Sequence, residues 1–480
     1  MRRGLLFLPL LLLAGCAPRA AIVASPRSAS ALDTSRSFAA PVTPWPETQW
    51  WRAYRDPQLD ALVAEALANS PDVASAAARV RAAAAIVEQA GAARSPYLEL
   101  NGQATLDKQS YNNGIPAQFI PKGWNDAGRF TLGGNFDLDL WGRNRAALAA
   151  ATSDAQAAQV DAAHATLLLA TSIASSYADL ARLFAERAVL ARAVAIREES
   201  LTLNRGRYAA GLDNLGTQQL SATRAAAARA DLAAAEEAIQ LTRNRIAALV
   251  GAGPDRGLAV TEPRIAALHP QGLPERLSLD LVGRRPDIVA ARLRSEAASS
   301  RIRSARATFY PNINLNALIG VQSLGLDRLV DGGSTIGSVG PAISLPIFGR
   351  GRLRGELRGA EARYDEAVAS YDSALLGAVR EVADAAASIR ALEVRQHEAA
   401  AALAAAEGAY SIARQRYEGG LSTFLDVLTA EDALLDRRRA SADLAARAFS
   451  LDVALARALG GGFGPTETST SAAARGTTHG

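Results

Sequence analysis

Residues 130–145 read FTLGGNFDLDLWGRNR. Phe130, Leu132, Phe136, Leu138 and Leu140 alternate with Thr131, Asn135, Asp137 and Asp139. A two-residue period places one set on each face of an extended strand, so one face is apolar and the other wet. The surrounding chain is alanine-rich and reads as long helix, and this segment runs into helix within a few residues. Three other segments alternate in the same way. The four predicted strands cover about 96–107, 129–140, 309–321 and 336–347. In the first, Leu98, Leu100, Ala104 and Leu106 oppose Glu99, Asn101, Gln103, Thr105 and Asp107. In the third, Ile313, Leu315, Ala317 and Ile319 oppose Asn312, Asn314 and Asn316. Pro341 and Pro346 interrupt the fourth.

The wet faces carry carboxylates and carboxamides that must meet water, and the opposite faces must meet an apolar phase. Ten residues at ~3.3 Å each, tilted by ~40°, span about 25 Å, the height of an outer-membrane apolar band. Tyr97, Trp141, Phe309, Tyr310 and Phe348 fall at strand ends, where an interfacial aromatic girdle lies. Four strands cannot close a barrel, and open edges are not tolerated in a bilayer. Several copies of the chain must therefore pool their strands. On this reading Glu99, Asp107, Asp137, Asp139, Asn312, Asn314 and Asn316 line the lumen, and Trp141-Gly142 marks entry into a helical cylinder.

The chain is written twice. Pro71-Asp72-Val73, Pro96, Leu140-Trp141-Gly142-Arg143 and Arg207-Tyr208-Ala209-Ala210-Gly211-Leu212 have counterparts in the same order. These are Pro286-Asp287-Ile288, Pro311, Ile347-Phe348-Gly349-Arg350 and Arg416-Tyr417-Glu418-Gly419-Gly420-Leu421. The period is about 210 residues, and the spacing shortens between the second and third pairs, so the first copy holds the longer insertion there. Each copy reads as a helix opening at Pro-Asp, two strands, a very long helix, a glycine turn and a returning helix. A helix over 143–207 would extend roughly 100 Å at ~1.5 Å per residue, and needs partners along its length. Alanine allows close approach on more than one flank, as packing within a cylinder of helices requires.

The organisation is thus a first repeat over 47–260, a second over 261–459, and a segment 460–480 with the composition of a disordered tail. At the front, Arg2-Arg3, the apolar run Leu5–Leu13 and Ala14-Gly15 make a secretory signal over 1–15, too short to span a membrane. Leu13-Ala14-Gly15-Cys16 resembles a bacterial lipobox, which implies cleavage before Cys16 and a covalent lipid on that residue. Ala17 in place of aspartate implies sorting to the outer membrane. Residues 16–46, rich in Ala, Ser and Pro, read as a tether without a core.

Composition excludes several classes. A single cysteine rules out an internal disulfide framework and any cysteine-based metal site. His164, His269, His397 and His479 are not at metal-ligand spacing, so no metal site is expected. A net charge of +4 over 480 residues gives no reason to expect nucleic acid. No Ser/His/Asp set or phosphate loop is legible, and Gly349-Arg350-Gly351 lacks a nucleotide-binding fingerprint. A catalytic role is therefore not expected. A structural lipoprotein spacing the envelope layers would account for the anchor and long helices, but not for the strands.

Trp50-Trp51, Asp56-Pro57-Gln58-Leu59 and Leu62, then Arg284-Arg285-Pro286-Asp287-Ile288, open a wider similarity. With Arg416-Tyr417-Glu418-Gly419-Gly420-Leu421-Ser422, Leu425-Asp426-Val427-Leu428 and Ala430-Glu431, the chain resembles the outer membrane factor family of TolC/NodT type over about 45–460. The lipobox resembles its lipoprotein subgroup. The resemblance implies a homotrimer whose twelve strands form one barrel, continuous with a long periplasmic α-helical barrel. It also implies a passive efflux channel that exports drugs or other small molecules, docked through a periplasmic adaptor to an inner-membrane pump of the resistance–nodulation–division type. A type I protein-secretion partner is the alternative within the family. The family closes its tunnel at the periplasmic end, and the matching positions here are Tyr417, Leu425 and Asp426, with Tyr417 or an arginine expected as partner of Asp426. Ser422 and Thr429 depart from the family pattern, where some members carry a basic residue and a second aspartate.

Overall fold

The computed structural model describes residues 24–265, 268, 272–275 and 277–464. The signal 1–15, Cys16 and residues 465–480 of the expected tail lie outside the described residues. The doubling is plain in the elements. In the first copy, α1 (Pro57–Asn69) and α2 (Pro71–Ala92) precede β1 (Tyr97–Asp107) and β2 (Asn125–Asp137). Helices α3 (Arg143–Ala209) and α4 (Leu215–Leu249) follow, with the short α5 (Pro254–Leu258) after them. The second copy runs α6 (Leu277–Arg284), α7 (Pro286–Ala307), β3 (Asn312–Leu324), β4 (Thr335–Ser344), α8 (Arg350–Glu418) and α9 (Phe424–Ala458). Helices α2 and α7 both have 22 residues, α4 and α9 both 35, and α3 and α8 have 67 and 69. No described helix is long and apolar enough to cross a membrane.

By contact density the chain forms two compact units, and neither is one repeat. One includes Val80–Ala158 and Ala291–Tyr371, the strands with the helix ends that flank them. The other is Arg27–Arg79, Gln159–Ala290 and the chain from Asp372 onward.

In the strand unit, β1-β2-β3-β4 form one antiparallel sheet in sequence order. The register pairs Leu100 with Leu132, Leu132 with Ile319 and Phe130 with Val321, and it pairs Ala317 with Val339 and Ile313 with Ile343. The apolar alternants within the four strands therefore share one face. Leu98, Leu100, Leu106, Ile319, Val339 and Ile343 on it are each more than 60% exposed. Glu99, Gln103, Arg129, Asn314, Asn316 and Gln322 share the other face, where Asn135 Nδ2 donates to Asn316 Oδ1 at 2.6 Å. The second strand differs from expectation at its end, stopping at Asp137 instead of 140. Asp139 turns the chain out of the sheet with a left-handed φ of 44°. Its carboxylate accepts from the N–H groups of Asn144 and Arg145, both at 2.9 Å, because the first turn of α3 contains no acidic residue of its own.

In the helical unit, Trp50, Tyr54, Leu59, Leu62 and Val63 are almost wholly buried against Ile173, Tyr177 and Leu180 of α3. Asp56 caps α1 by accepting from Gln58 N at 2.9 Å, and also accepts from Tyr177 Oη at 2.7 Å and Arg264 N at 2.9 Å. Before the Pro-Asp start of α7, Arg285 forks onto Asp287 (2.7 and 3.1 Å), and donates to Glu381 at 2.7 Å and to the carbonyl of Ala458 at 3.0 Å. Burial disfavours the Arg285 charge, yet the bonds and charges of Asp287 and Glu381 outweigh it and raise its pKa.

Two terminal segments expected to be loose are packed. Phe38, Ala40 and Trp45, within the tether reading of 16–46, pack on the cluster of Leu273, Leu277, Leu281 and Val382. Val42 bridges Leu273, and Arg390 donates to the carbonyl of Ala39. Gly460–Gly462, assigned to the tail, occupy space that no side chain would fit. A Cβ on Gly460 would lie 2.2 Å from the carbonyl oxygen of Arg284, and one on Gly462 2.2 Å from the carbonyl carbon of Glu47. Glycine repeats have the composition of a linker and also of a close backbone contact, and only packing separates the two.

Candidate functional site

Two regions of the molecule are built unlike a closed globule. The first is the sheet just described, with an apolar face open to its surroundings and the outer edges of β1 and β4 without a partner strand. Its wet face carries Glu99 and Asp107 as expected, but also Arg129, opposite Gln103 and Gln322. Of the other two expected carboxylates, Asp137 is paired with Arg143 at 2.9 Å and accepts from Asp139 N at 2.9 Å. Asp139 is paired with Arg145 at 3.3 Å. These two carboxylates hold the strand-to-helix corner and are not free charges on the wet face, although a period of two would put them there.

The second region is the pair of helical turns. Each long helix ends on a left-handed glycine, Gly211 (φ 69°) and Gly420 (φ 74°). In the first turn Leu212 N donates to Arg207 O at 2.8 Å and Gly211 N to Tyr208 O at 3.0 Å. In the second, Leu421 N donates to Arg416 O at 2.7 Å and Gly420 N to Tyr417 O at 3.0 Å. This is the closure a helix C-terminus needs for its orphan carbonyls. The returning helices start on Asn214, which accepts from Thr217 N at 3.0 Å, and on Thr423.

The turns are alike in backbone and differ in what their tyrosines do. Tyr208 is 43% exposed, while Tyr417 is 4% exposed and packs on Phe424, Val427 and Leu428. Its hydroxyl reaches the first hairpin, lying 2.8 Å from Asn204 Oδ1 and 2.9 Å from Asp213 Oδ2. Arg207 lies over the ring at 4.6 Å and 3.6 Å from Asp213. Asn204 is fully buried and donates to Ser221 Oγ at 2.6 Å. Burial, then the bond to Asp213, pushes the Tyr417 phenol up to about 12. Burial alone would raise Asp213, but donors from Asn214 N, Tyr417 and Thr217, with the Arg207 charge, hold it below the usual carboxylate range.

Farther along α9, a second tie joins the same two hairpins. Arg197 of α3 meets Glu431 at 3.1 Å and Asp432 at 3.3 Å, and Arg224 of α4 meets Asp432 at 2.8 Å. Glu431 is fully buried, and that burial raises its pKa against the pull of Arg197.

Of the sequence-selected residues, Tyr417 lies at the centre of this contact. Asp426 does not meet it within the chain. Asp426 accepts from Thr423 N (2.9 Å) and Thr423 Oγ1 (2.8 Å) and so completes a capping box on α9. Those two bonds, the hydroxyl's first, lower its pKa. Within the chain, the Tyr417 hydroxyl is taken by Asn204 and Asp213. Leu425 is 66% exposed. Asn204, Arg207 and Asp213 were not selected from the sequence. Asp213 was findable, because it follows the first glycine turn as Ser422 follows the second, whereas nothing in helical periodicity marks Asn204. Among the described residues no His, Cys, Asp and Glu side chains cluster so as to hold a metal ion.

The family profile described as "Outer membrane efflux protein" matches residues 62–252 and 277–461. The fusaric acid resistance protein FusA of Burkholderia cepacia is 39% identical over 374 residues, covering 73% of this chain and 68% of its own. The pyoverdine export outer membrane protein OpmQ of Pseudomonas aeruginosa is 30% identical over 460 residues, covering 94% and 95%. Among solved structures, the outer membrane protein VceC of Vibrio cholerae is 46% identical with a TM-score of 0.83. It covers 87% of this chain and 100% of its own.

Proposed function

The chain belongs to the outer membrane efflux protein family, and from that premise we propose that it is the outer-membrane channel of a tripartite efflux system. The observation that carries the reading is the register of the sheet. It collects the apolar alternants of the four strands on one exposed face and leaves the outer edges of β1 and β4 without a partner strand. Such a sheet is unstable in water and, alone, in lipid. Three copies pooling four strands each close a twelve-stranded barrel, with the apolar face toward lipid and Glu99, Asp107, Arg129 and Asn316 toward the lumen. The long paired helices continue as the periplasmic tunnel.

The gate is the turn of the second hairpin. Tyr417, tied to Asn204 and Asp213, holds the two hairpins of a chain together. Leu425, exposed beside it, meets its symmetry copies as an apolar constriction, and Asp426 fixes the first turn of α9 that carries Leu425. A periplasmic adaptor, bound to an inner-membrane pump of the resistance–nodulation–division type, opens the gate by separating the hairpins. Relatives named for fusaric acid resistance and pyoverdine export support a small organic cargo selected by the pump. The lipobox-like Leu13-Ala14-Gly15-Cys16 supports a lipid on Cys16 as a second attachment to the outer membrane.

Purified protein reconstituted in a planar bilayer tests the reading. Discrete conductance steps from the assembled oligomer are expected, and Leu425→Ala with Asp426→Ala raises the step size. A correctly assembled oligomer that never conducts refutes the channel.

A further inference from the structure

Where the strands hand over to helices, the strand unit has a cleft of about 370 Å³ lined by Trp141, Arg143, Tyr310, Ile313, Arg352 and Glu356, among others. Its wall is aromatic. Trp141 stacks on Tyr310 with ring centroids 4.7 Å apart, and its Nε1 donates to Pro311 O at 2.8 Å, which fixes the indole. Its floor is charged. Arg143 spends one N–H group on Asp137 at 2.9 Å, and Arg352 pairs with Glu356 through Nη1. A guanidinium has five N–H donors, so both keep donors for a further acceptor, and their side chains are 44% and 69% exposed.

Both arginines stand in the first turn of a long helix, Arg143 in α3 and Arg352 in α8. A cation there opposes the helix dipole. Leu140, Ile347 and Phe348 beside them are exposed and continue toward the apolar sheet face at Ile313 and Ile343. The cleft lining thus combines an aromatic pair, two cations and the carboxylates of Asp139 and Glu356, with exposed apolar residues beside it.

We propose that this cleft binds the zwitterionic headgroup of a phospholipid in the periplasmic leaflet, resting on the outer-membrane reading above. The phosphodiester accepts from Arg143 and Arg352, the ammonium of an ethanolamine headgroup meets Glu356, and the acyl chains lie along β3 and β4. Guanidinium binding to phosphate and aromatic residues at the headgroup level are the physical basis. The ligand also supplies negative charge at the first turn of α8, which contains no acidic residue.

The test is native mass spectrometry of the purified oligomer titrated with phosphatidylethanolamine, with diacylglycerol as the phosphate-free comparison. Wild type is expected to retain the phospholipid and not the diacylglycerol. Arg352→Gln, and Arg143→Gln with Arg352→Gln, are expected to weaken retention about tenfold or more, the effect of one charge-assisted hydrogen bond. Arg363→Gln, three turns further along α8, should bind as wild type. Equal retention by the double variant, or equal retention of diacylglycerol, overturns the proposal. So does a double variant whose oligomer dissociates while its lipid occupancy per assembled particle is unchanged, since that makes the cleft a subunit contact. Conductance measured on the same preparations separates the two readings. A wild type that binds lipid yet never conducts tells against the channel and not against the cleft.

Discussion

Tyr417→Phe isolates the contact proposed as the gate with the smallest change in shape. The ring stays on Phe424 (5.5 Å) and under Arg207 (4.6 Å), so packing is conserved, and only the hydroxyl shared between Asn204 and Asp213 is lost. Hydrogen bonds to charged acceptors contribute about 1.5–3 kcal/mol when buried, and neutral ones about 1. The Asp213 side chain retains 14% exposure and can recruit water, while the Asn204 carbonyl is fully buried and cannot. A loss of about 1–2 kcal/mol per chain follows, which multiplies the hairpin-separated population roughly 5- to 30-fold. With three copies that share no partners the losses sum to about 3–6 kcal/mol for the assembly. Single-channel recording is the assay, with open probability as the readout and Tyr208→Phe as the control. Tyr208 is exposed and its change should be silent. Wild-type open probability in Tyr417→Phe, with the oligomer assembled, would refute the reasoning. An equal rise in Tyr208→Phe would do the same. The contact also has a pH window. Asp213 is held below its ordinary 3.8, so its stabilisation is present above that value and lost as pH falls through the lowered folded value. Tyr417 is raised from 10.0 to about 12, so its contribution is full below 10 and is lost as pH rises from there to 12. The Tyr417–Asp213 contribution is constant between those limits, so open probability should rise at both extremes.

Arg285→Ala should lower the melting temperature and impair assembly, since it strands Asp287 and Glu381 around a side chain only 7% exposed, at a cost of about 3–5 kcal/mol. A melting temperature within a degree of wild type would contradict this. Glu99→Gln should lower the cation-to-anion permeability ratio in reversal-potential measurements, since rings of carboxylates favour cations, whereas Asp139→Asn should leave selectivity unchanged and lower stability, because Asp139 caps α3. The opposite ranking would place Asp139 in the lumen after all. Cys16→Ser should abolish metabolic incorporation of fatty acid while the channel still assembles, and labelling that persists in the variant would exclude Cys16 as the anchor.

The strands, the duplication and the turns were legible because each depends on short-range chemistry. Alternation at a period of two admits one solution for β1 and β3, and Gly211 and Gly420 stand where the chain needs a positive φ. Resemblance to the family motifs then singled out Tyr417. Sequence alone did not decide what depends on which surfaces meet. The alternation of residues 130–140 continues smoothly past Asp137, and only the unsatisfied amides of α3 explain why the strand stops there and Asp139 becomes a cap. The repeats carry equivalent tyrosines, yet Tyr417 is buried and Tyr208 is not, because only the second faces Asn204 and Asp213 across the hairpins. Gly460–Gly462 and residues 38–45 have loose compositions and tight surroundings. Local rules determine backbone conformation from a few neighbours, whereas the partner of a side chain is chosen by residues some two hundred positions away, and only the folded chain brings those into contact.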